Sequence, residues 1–493
     1  MIGAAKTPAI DWLAAMPVLV LFGGAVVVLL AGLIRGRFAS ERLVPGLSLL
    51  ALVTSASYAV AQWGDDQEIF VASGSQGTMV VDKLAIFVTV LVAAAGVATV
   101  LLSAREEAVR EARHGEYHAL LLVSAAGMVV LGAAQNLVTL FVGLEMLSIP
   151  LYVLCATRMS KERSLESGLK YLIIGSLGSA TLLYGLALLY GAAGDTDLRA
   201  VAKAVSEHST DSLVIAGIAL SAVGLAFKAS IAPFHQWTPD VYEGAPTPVT
   251  TFMAAATKVA TFAAIFRLFG TALVDAQDTW APALAALAAI SIIVGNVGAL
   301  GQDSLKRLLA WSSIAQAGYM LAGVVVLSAL GAEATLFYLA GYGAMTIAAF
   351  AVVVARERES VDGDQLSSLN GLGQHKPLQA WVMTIAMLGL AGMPATAGFV
   401  GKITLIGAAA DGGYTWLGIL IVVGSLISLA YYLRVVAAIW ATPADPDAES
   451  GRDAGFEVGL VAFVFGALTI ALGVLPSLPL RLAEEAGRAL GLV

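Results

Sequence analysis

Five ionisable residues lie inside long apolar stretches of this 493-residue chain, and they are the groups most able to do chemistry. They are one acid and four amines: Glu145, Lys170, Lys228, Lys258 and Lys402. A charge in the middle of a membrane costs about 2.5–3.5 kcal/mol on insertion scales, so such residues are rare there and usually mark an ion or proton pathway. The five residues therefore predict the movement of ions or protons through the protein interior.

Lysine suits proton transfer because burial disfavours its charged form and a nearby carboxylate restores that form. A Glu–Lys pair whose members can move apart is an electrostatic switch, and lysines joined by water can pass protons without a metal or cofactor. A structural alternative stays open for each residue. Lys170 is close enough to the end of its helix to extend to the membrane interface, and the others could simply pair inside the bundle.

Two prolines interrupt apolar stretches next to these lysines. Pro233, after Lys228, removes a backbone donor and clashes with the carbonyl of Ala229, four residues earlier. The freed carbonyl could hold water or a protonated side chain, which is tolerable only where protein lines a cavity. Pro394 interrupts a second, glycine-rich stretch shortly before Lys402. The alternative is two ordinary proline kinks.

Composition indicates the elements that must position these groups. Hydrophobic residues make up 59% of the chain and charged residues 13%, against about 45–50% and about 25% in soluble domains. The net charge of −8 offers no basic surface for nucleic acid. The single cysteine, Cys155, excludes an intrachain disulfide, an iron–sulfur cluster and a cysteine-only zinc site. The composition predicts an all-α polytopic membrane protein embedded in a lipid bilayer.

About fourteen stretches are long and apolar enough to cross a membrane. We predict spans near 12–34, 43–62, 81–104, 117–134, 137–157, 165–192, 212–232, 247–271, 280–301, 304–328, 333–355, 377–409, 413–441 and 455–476. The broken helices are then the seventh and the twelfth, five spans apart. This odd spacing predicts two inverted five-helix repeats, helices 4–8 and 9–13, an arrangement typical of transporters.

The placement of lysine and arginine tests this count. Sixteen lie in odd-numbered connections and four in even-numbered ones. Since basic residues concentrate on the cytoplasmic side, the odd connections should be cytoplasmic and both termini should face the other side. The expected domains are an N-terminal three-helix segment at 1–116, repeats at 117–271 and 280–441, and a C-terminal helix and tail at 442–493.

The connection after the first break, residues 235–248, is dense in turn formers and in groups able to relay protons. His235 titrates near neutral pH when unperturbed and is a candidate relay. The alternative is a rigid interface turn anchored by a tryptophan. One histidine and two acids lack the spacing of a metal site, so no metal is expected.

These residues also carry a resemblance. Residues 227–248 read FKASIAPFHQWTPDVYEGAPTP, residues 170–176 read KYLIIGS, and residues 306–319 read KRLLAWSSIAQAGY. Together they resemble the antiporter-like subunits of respiratory complex I, a likeness that runs from about residue 80 to 440. The segment 239–246 is similar to the member closest to the quinone-facing end of the three large pumping subunits.

The resemblance implies a role for each charged group. Glu145 matches a fifth-helix glutamate and Lys170 its partner lysine, while Lys228 matches the lysine on the broken seventh helix. Lys258 matches the relay lysine of the eighth helix, and Lys402 the terminal group of the broken twelfth. The M subunit usually has glutamate at this last position.

The same resemblance adds candidate relay or water-lining groups in the second half of the chain. They are Ser312, Ser313, Gln316 and Tyr319. Sister subunits often have histidine where this chain has Gln316, so that residue is expected only to line a water path.

The implied reaction is NADH oxidation by quinone coupled to proton export from a bacterial cell across its inner membrane. NADH, FMN, iron–sulfur clusters and quinone would be bound by other subunits, and none by this chain. The expected neighbours are membrane-arm subunits of the K and M types. Three alternatives stay open: a subunit of a multi-subunit sodium/proton antiporter or membrane-bound hydrogenase, a stand-alone solute carrier, and a scaffold whose buried charges only hold helices together.

Overall fold

The computed structural model describes residues 10–34, 36–71, 77–441, 443 and 452–491, and these are overwhelmingly α-helical. The helices are α1 (Trp12–Ala31), α2 (Val44–Ala61), α3 (Lys83–Leu102), α4 (Glu107–Glu111), α5 (His114–Gly132), α6 (Leu137–Cys155), α7 (Glu162–Ala193), α8 (Leu198–His208), α9 (Ser212–Lys228), α10 (Trp237–Gly244), α11 (Thr247–Phe252), α12 (Lys258–Arg267), α13 (Gln277–Leu300), α14 (Leu305–Val326), α15 (Ala329–Glu359), α16 (Leu372–His375), α17 (Pro377–Ala391), α18 (Ala397–Asp411), α19 (Thr415–Trp440), α20 (Phe456–Val474) and α21 (Ser477–Arg488). π-Helical turns at Ala39–Leu43, Met253–Thr257 and Leu268–Ala272 adjoin α2, α11 and α12.

Several membrane helices begin where a polar side chain can satisfy the first free backbone amides. The Asp82 carboxylate accepts the amide of Ala85 at 2.9 Å at the start of α3, and the Asn136 side chain accepts the amide of Thr139 at 2.7 Å at the start of α6. Such capping replaces hydrogen bonds that the helix itself cannot supply. The apolar runs that follow therefore begin as helices close to the boundaries expected from hydropathy.

Twelve helical segments in the described part of the chain are long and apolar enough to cross a membrane. They confirm the prediction of an all-α polytopic membrane protein. The stretches 212–232 and 377–409 are interrupted, as predicted: α9 ends at Lys228 before α10 begins, and α17 ends at Ala391 before α18 begins. The relation of the halves as inverted repeats, and the domain boundaries drawn from it, stay predictions.

Contacts between connections fall into two sets, which agrees with the predicted alternation. At one face, the connections after the ninth and eleventh predicted spans meet where Ser304 bridges Gln365. The Arg358 guanidinium there lies 3.7 Å from the Glu106 carboxylate and donates to the Ala454 carbonyl, joining the third and thirteenth connections. All of these connections are odd-numbered, so we refer to this end of the bundle as the odd face.

Even-numbered connections meet at the opposite end, where Asn136 bridges Asp197. There a small antiparallel hairpin, Gln67–Val71 paired with Gly77–Val81, lies in a connection that hydropathy indicates only as polar. Lys83 forms an ion pair of 2.9 Å with Glu485 of α21, so the C-terminal helix lies at this end too.

Three spans are buried on nearly all sides and form the interior of the bundle: Thr247–Ala272, Leu305–Val326 and Ala329–Glu359. Small residues allow neighbouring helices to approach them closely. A Cβ atom built on Gly295 of α13 would lie 2.3 Å from the backbone nitrogen of Ala315 on α14. Because these spans are enclosed by other helices, a polar side chain on them costs free energy unless it finds a partner within the protein.

Candidate functional site

Lys228 is the last residue of α9 and is 2% exposed. Its ammonium donates hydrogen bonds to Ser148 Oγ and to the Tyr171 hydroxyl, both at 2.8 Å. The nitrogen also lies 5.0 Å from the centre of the Tyr171 ring. Among the described residues no carboxylate comes within ion-pairing distance of this ammonium. Neutral hydroxyls and an aromatic face therefore hold the lysine.

Lys258, the first residue of α12, is held by the first helix break. Its ammonium donates to the carbonyl of Ala229 at 2.9 Å, and its side chain is buried. This carbonyl lies four residues before Pro233, so it is the acceptor that the proline frees. The freed carbonyl thus accepts a hydrogen bond from a buried side chain, that of Lys258.

The second break repeats this arrangement. Lys402 of α18 is buried, and its ammonium donates to the carbonyls of Leu390 and Ala391 at 2.9 and 3.0 Å. Leu390 lies four residues before Pro394 and is the corresponding freed acceptor. The Lys402 nitrogen also lies 5.0 Å from the centre of the Tyr319 ring. At each helix break a buried lysine therefore binds the freed carbonyl. Lys258 does so at the first break and Lys402 at the second.

Glu145 lies on α6, three residues before Ser148 and hence on the same face of that helix. Its Oε1 atom is buried and has no hydrogen-bond partner among the described residues. The carboxylate therefore lies on the side of α6 that presents a hydroxyl to Lys228, without a direct ion pair.

Lys170 takes a different position from the other three lysines. Its side chain is 40% exposed, and it pairs with Glu166 at 2.7 Å and with Asp240 at 2.9 Å. The partnership with Glu145 that the resemblance implies is not formed in this structure. The physical reason is that Lys170 lies only about two turns into α7, at the level of α10, where two carboxylates are in reach.

Gln316 connects the second break to a tyrosine. Its side-chain amide donates to the Leu390 carbonyl at 3.3 Å, so it shares an acceptor with Lys402. The same amide donates to the Tyr432 hydroxyl at 3.2 Å, and the Tyr338 hydroxyl donates to its Oε1. The structure thus brings Gln316 and Lys402 to one polar cluster inside an otherwise apolar bundle.

This cluster also contains Ser312 and Tyr319, which the sequence selected, and Asn296, Tyr431 and Tyr432, which it did not. The Ser312 hydroxyl lies 2.5 Å from that of Tyr432, and Asn296 links Tyr319 to Tyr431 through two hydrogen bonds of 2.9 Å. The signal in the sequence was weak: an asparagine and a tyrosine pair within apolar stretches. Hydropathy alone gives no reason to join them.

Two candidate relay residues lie apart from these contacts. Ser313 is buried beside the phenols of Tyr242 and Tyr342, between α10 and α15. The His235 ring is mostly buried, 5.3 Å from that of Trp311, and its Nδ1 has no partner within the described ranges. The described residues also contain no group of three or more His, Cys, Asp or Glu side chains arranged to hold a metal ion.

Comparison with known proteins identifies the family. Residues 134–428 match the membrane family described as NADH:quinone oxidoreductase/Mrp antiporter. NADH-quinone oxidoreductase subunit N of Trichlorobacter lovleyi is 39% identical over 89% of this chain and 90% of the relative, and that of Salinispora arenicola is 38% identical over 98% of each chain. The chain belongs to the subunit N family of NADH-quinone oxidoreductase.

Solved structures agree with this assignment. A chain of respiratory complex I from Thermus thermophilus is 35% identical, covers 95% of this chain and 99% of its own length, and superposes with a TM-score of 0.79. A chain of the Mrp complex from Dietzia is similar in fold alone, at 24% identity, 97% coverage of each chain and a TM-score of 0.84. Glu145, the four buried or half-buried lysines and Gln316 fall within the segment matched to the family.

Proposed function

We propose that this subunit N conducts protons across the membrane while other subunits of the complex transfer electrons from NADH to quinone. The observation that carries the proposal is that Lys228, Lys258 and Lys402 are buried and bound only to neutral groups among the described residues. Burying an ammonium group without a counter-ion costs free energy of folding. Residues that carry this cost inside a membrane usually mark a proton or ion path.

The partners of these lysines suit a group that gains and loses a proton. A charged amine has three donors, and a neutral amine still has two, so hydroxyl and carbonyl acceptors can hold either form. A carboxylate in contact would instead favour the charged form strongly. Neutral acceptors therefore bring the two protonation states closer in energy, which is the condition for relaying protons.

The proposed route begins at Lys228, with Glu145 and Lys170 controlling how readily it is loaded from the cytoplasm. The proton then passes through water to Lys258 and on to Lys402, and leaves on the outer side. One support is that Lys258 binds the carbonyl of Ala229, the residue that follows Lys228. Another is that Lys402 and Gln316 share the Leu390 carbonyl as acceptor. Ser312, Ser313, Tyr319 and His235 would line this path.

We further propose that NADH, FMN, iron–sulfur clusters and quinone are bound by other subunits of the complex. An iron–sulfur cluster takes several cysteine ligands, and this chain has one cysteine. The proposed neighbours are membrane-arm subunits of the K and M types, in a bacterial inner membrane with both termini outside. The excess of basic residues in odd-numbered connections supports that orientation.

The test is a Lys228→Ala substitution in the intact complex. Inside-out membrane vesicles would report NADH oxidation and proton uptake, each normalised to the amount of assembled complex. We expect assembly to persist and proton uptake per NADH to fall. Lys83→Ala, which removes a partly exposed lysine with one ion pair at the opposite end of the bundle, is the control and should behave as the wild type. An assembled Lys228→Ala complex with unchanged protons per NADH would refute the proposal.

A second candidate is a subunit of a sodium/proton antiporter, favoured by the similarity in fold to a chain of the Mrp complex. The two functions differ in their driving force. Sodium-dependent proton movement by the purified parent complex, without NADH oxidation, would favour the antiporter.

A further inference from the structure

The carboxylate of Asp240 bridges two helices from different halves of the chain. One oxygen accepts from the Lys170 ammonium on α7 at 2.9 Å, and the other accepts from the Arg307 guanidinium on α14 at 2.7 Å. Asp240 itself lies on α10, the short helix that follows the first break. A single side chain therefore joins α7, α10 and α14 at the odd face.

The other side of α10 reaches the Lys228 site. The Trp237 indole stacks on the Tyr171 ring, with ring centres 4.6 Å apart and planes 11° from parallel. Its nitrogen donates to the Phe227 carbonyl at 3.1 Å, next to Lys228. Since Tyr171 supplies one of the two hydroxyls that hold Lys228, a shift of α10 would be transmitted to that hydrogen bond. Tyr171 directly follows Lys170 on α7. Lys170 binds Asp240 and Tyr171 binds Lys228, so two consecutive residues contact the two groups that α10 connects.

The charges around Asp240 keep it ionised. Partial burial acts to raise the pKa of Asp240, but hydrogen bonds from Lys170 and Arg307 outweigh it and hold that pKa below the ordinary value. Glu243, one turn along α10, adds a second carboxylate to Arg307 at 3.0 Å. Glu166 is the second partner of Lys170.

The strength of any single ion pair in this cluster does not account for the arrangement. The side chains of Asp240 and Arg307 are 38% and 32% exposed, and ion pairs at that exposure add little to stability. The distinguishing feature is the geometry of the Asp240 carboxylate. One oxygen binds Lys170 in the first half of the chain, and the other binds Arg307 in the second half.

We propose that Asp240 is a positioning residue that couples α14 in the second half to the Lys228 site in the first. While Lys170 and Arg307 both hold Asp240, α10 is fixed and Trp237 presses Tyr171 toward Lys228. When Lys170 turns away, Arg307 is the one of the two cations that still binds Asp240, and the contact of Trp237 with Tyr171 relaxes. This inference rests on the proposed function, since it assigns a consequence to the loading of Lys228.

The test uses the intact complex in inside-out vesicles, with NADH oxidation and proton uptake normalised to assembled complex. Asp240→Asn keeps the shape and removes the charge, so proton uptake should fall about fivefold at equal assembly. Asp240→Glu keeps the charge and should restore at least half of the wild-type uptake. Asp303→Asn is the matched control, because it breaks the exposed Asp303–Arg434 pair at the same face, and it should leave uptake unchanged.

Coupling is tested with a double substitution. If Lys170 acts through Asp240, Lys170→Gln should lower uptake alone but add nothing to Asp240→Asn. Multiplied losses would overturn the coupling. Reduced assembly with normal uptake per assembled complex would show a structural role only and would also overturn it. Should Asp240→Asn fail to assemble, Lys170→Gln alone decides: lowered uptake at equal assembly supports the positioning role, and wild-type uptake refutes it. The Lys228→Ala result decides the proposed function independently.

Discussion

Tyr171 offers a sharp test of how Lys228 is held. Its hydroxyl accepts one of the two hydrogen bonds that the Lys228 ammonium makes at 2.8 Å, and its ring is fully buried against Trp237. Tyr171→Phe removes the hydroxyl alone and keeps the ring and its stacking. The substitution therefore removes one hydrogen bond that stabilises the charged form of Lys228 and leaves the packing of the ring against Trp237 in place.

The expected size follows from the hydrogen bond that is lost. A bond to a charged group contributes about 1.5–3 kcal/mol, and about 1.4 kcal/mol corresponds to a factor of ten in an equilibrium. Because Ser148 still accepts one bond, we take the lower end of this range. The ratio of loaded to unloaded Lys228 should then fall about tenfold, and the rate of proton uptake should fall by up to the same factor where loading limits it.

The assay is proton uptake by inside-out vesicles during NADH oxidation, normalised to assembled complex. Tyr117→Phe is the matched control, because it removes a buried phenol that contacts Ser103 at 2.9 Å, away from the lysines. It should cost about 1 kcal/mol of stability and leave uptake per complex unchanged. If Tyr171→Phe assembled normally and pumped within twofold of the wild type, the argument from the hydrogen bonds of Lys228 would be wrong.

Two further substitutions test other parts of the structure. Asp82→Asn leaves the buried guanidinium of Arg267, now bound by two oxygens of Asp82 at 2.6 and 2.7 Å, without its counter-ion. It should destabilise the subunit by about 3–5 kcal/mol, seen as a lower melting temperature of the purified complex, whereas Asp303→Asn should cost under about 1 kcal/mol. Lys402→Met leaves the Ala391 carbonyl unpaired and removes the proposed terminal carrier, so assembled complex should persist while proton uptake is lost. Normal uptake by this variant would exclude Lys402 from the route.

The helix breaks of the site could be predicted from the sequence, because a proline acts on the backbone of its own segment. Pro233 and Pro394 each free the carbonyl four residues earlier whatever surrounds them, so the helix breaks and their acceptors at Ala229 and Leu390 were predictable. The apolar spans were predictable for a similar reason, since a helix must satisfy its own backbone in lipid.

The partners of the side chains were not predictable in this way. The pairing of Lys170 with Asp240, 70 residues later, depends on where α10 lies, and nothing in either segment specifies that position. The asparagine and tyrosines near Gln316 gave no periodic signal, because a few polar residues in an apolar span leave its hydropathy almost unchanged. The small hairpin at the end of the bundle opposite the odd face was missed because a polar connection gives no sign of strand pairing.

The sequence by itself therefore determined that the chain spans a membrane, where two of its helices break, and which five charges lie among apolar residues. Only the tertiary structure decided that Lys228, Lys258 and Lys402 are held by neutral acceptors and that Lys170 lies outside this group. The physical reason is that burial costs and backbone geometry act within one segment, whereas a hydrogen-bond partner is set by the packing of helices far apart in the chain.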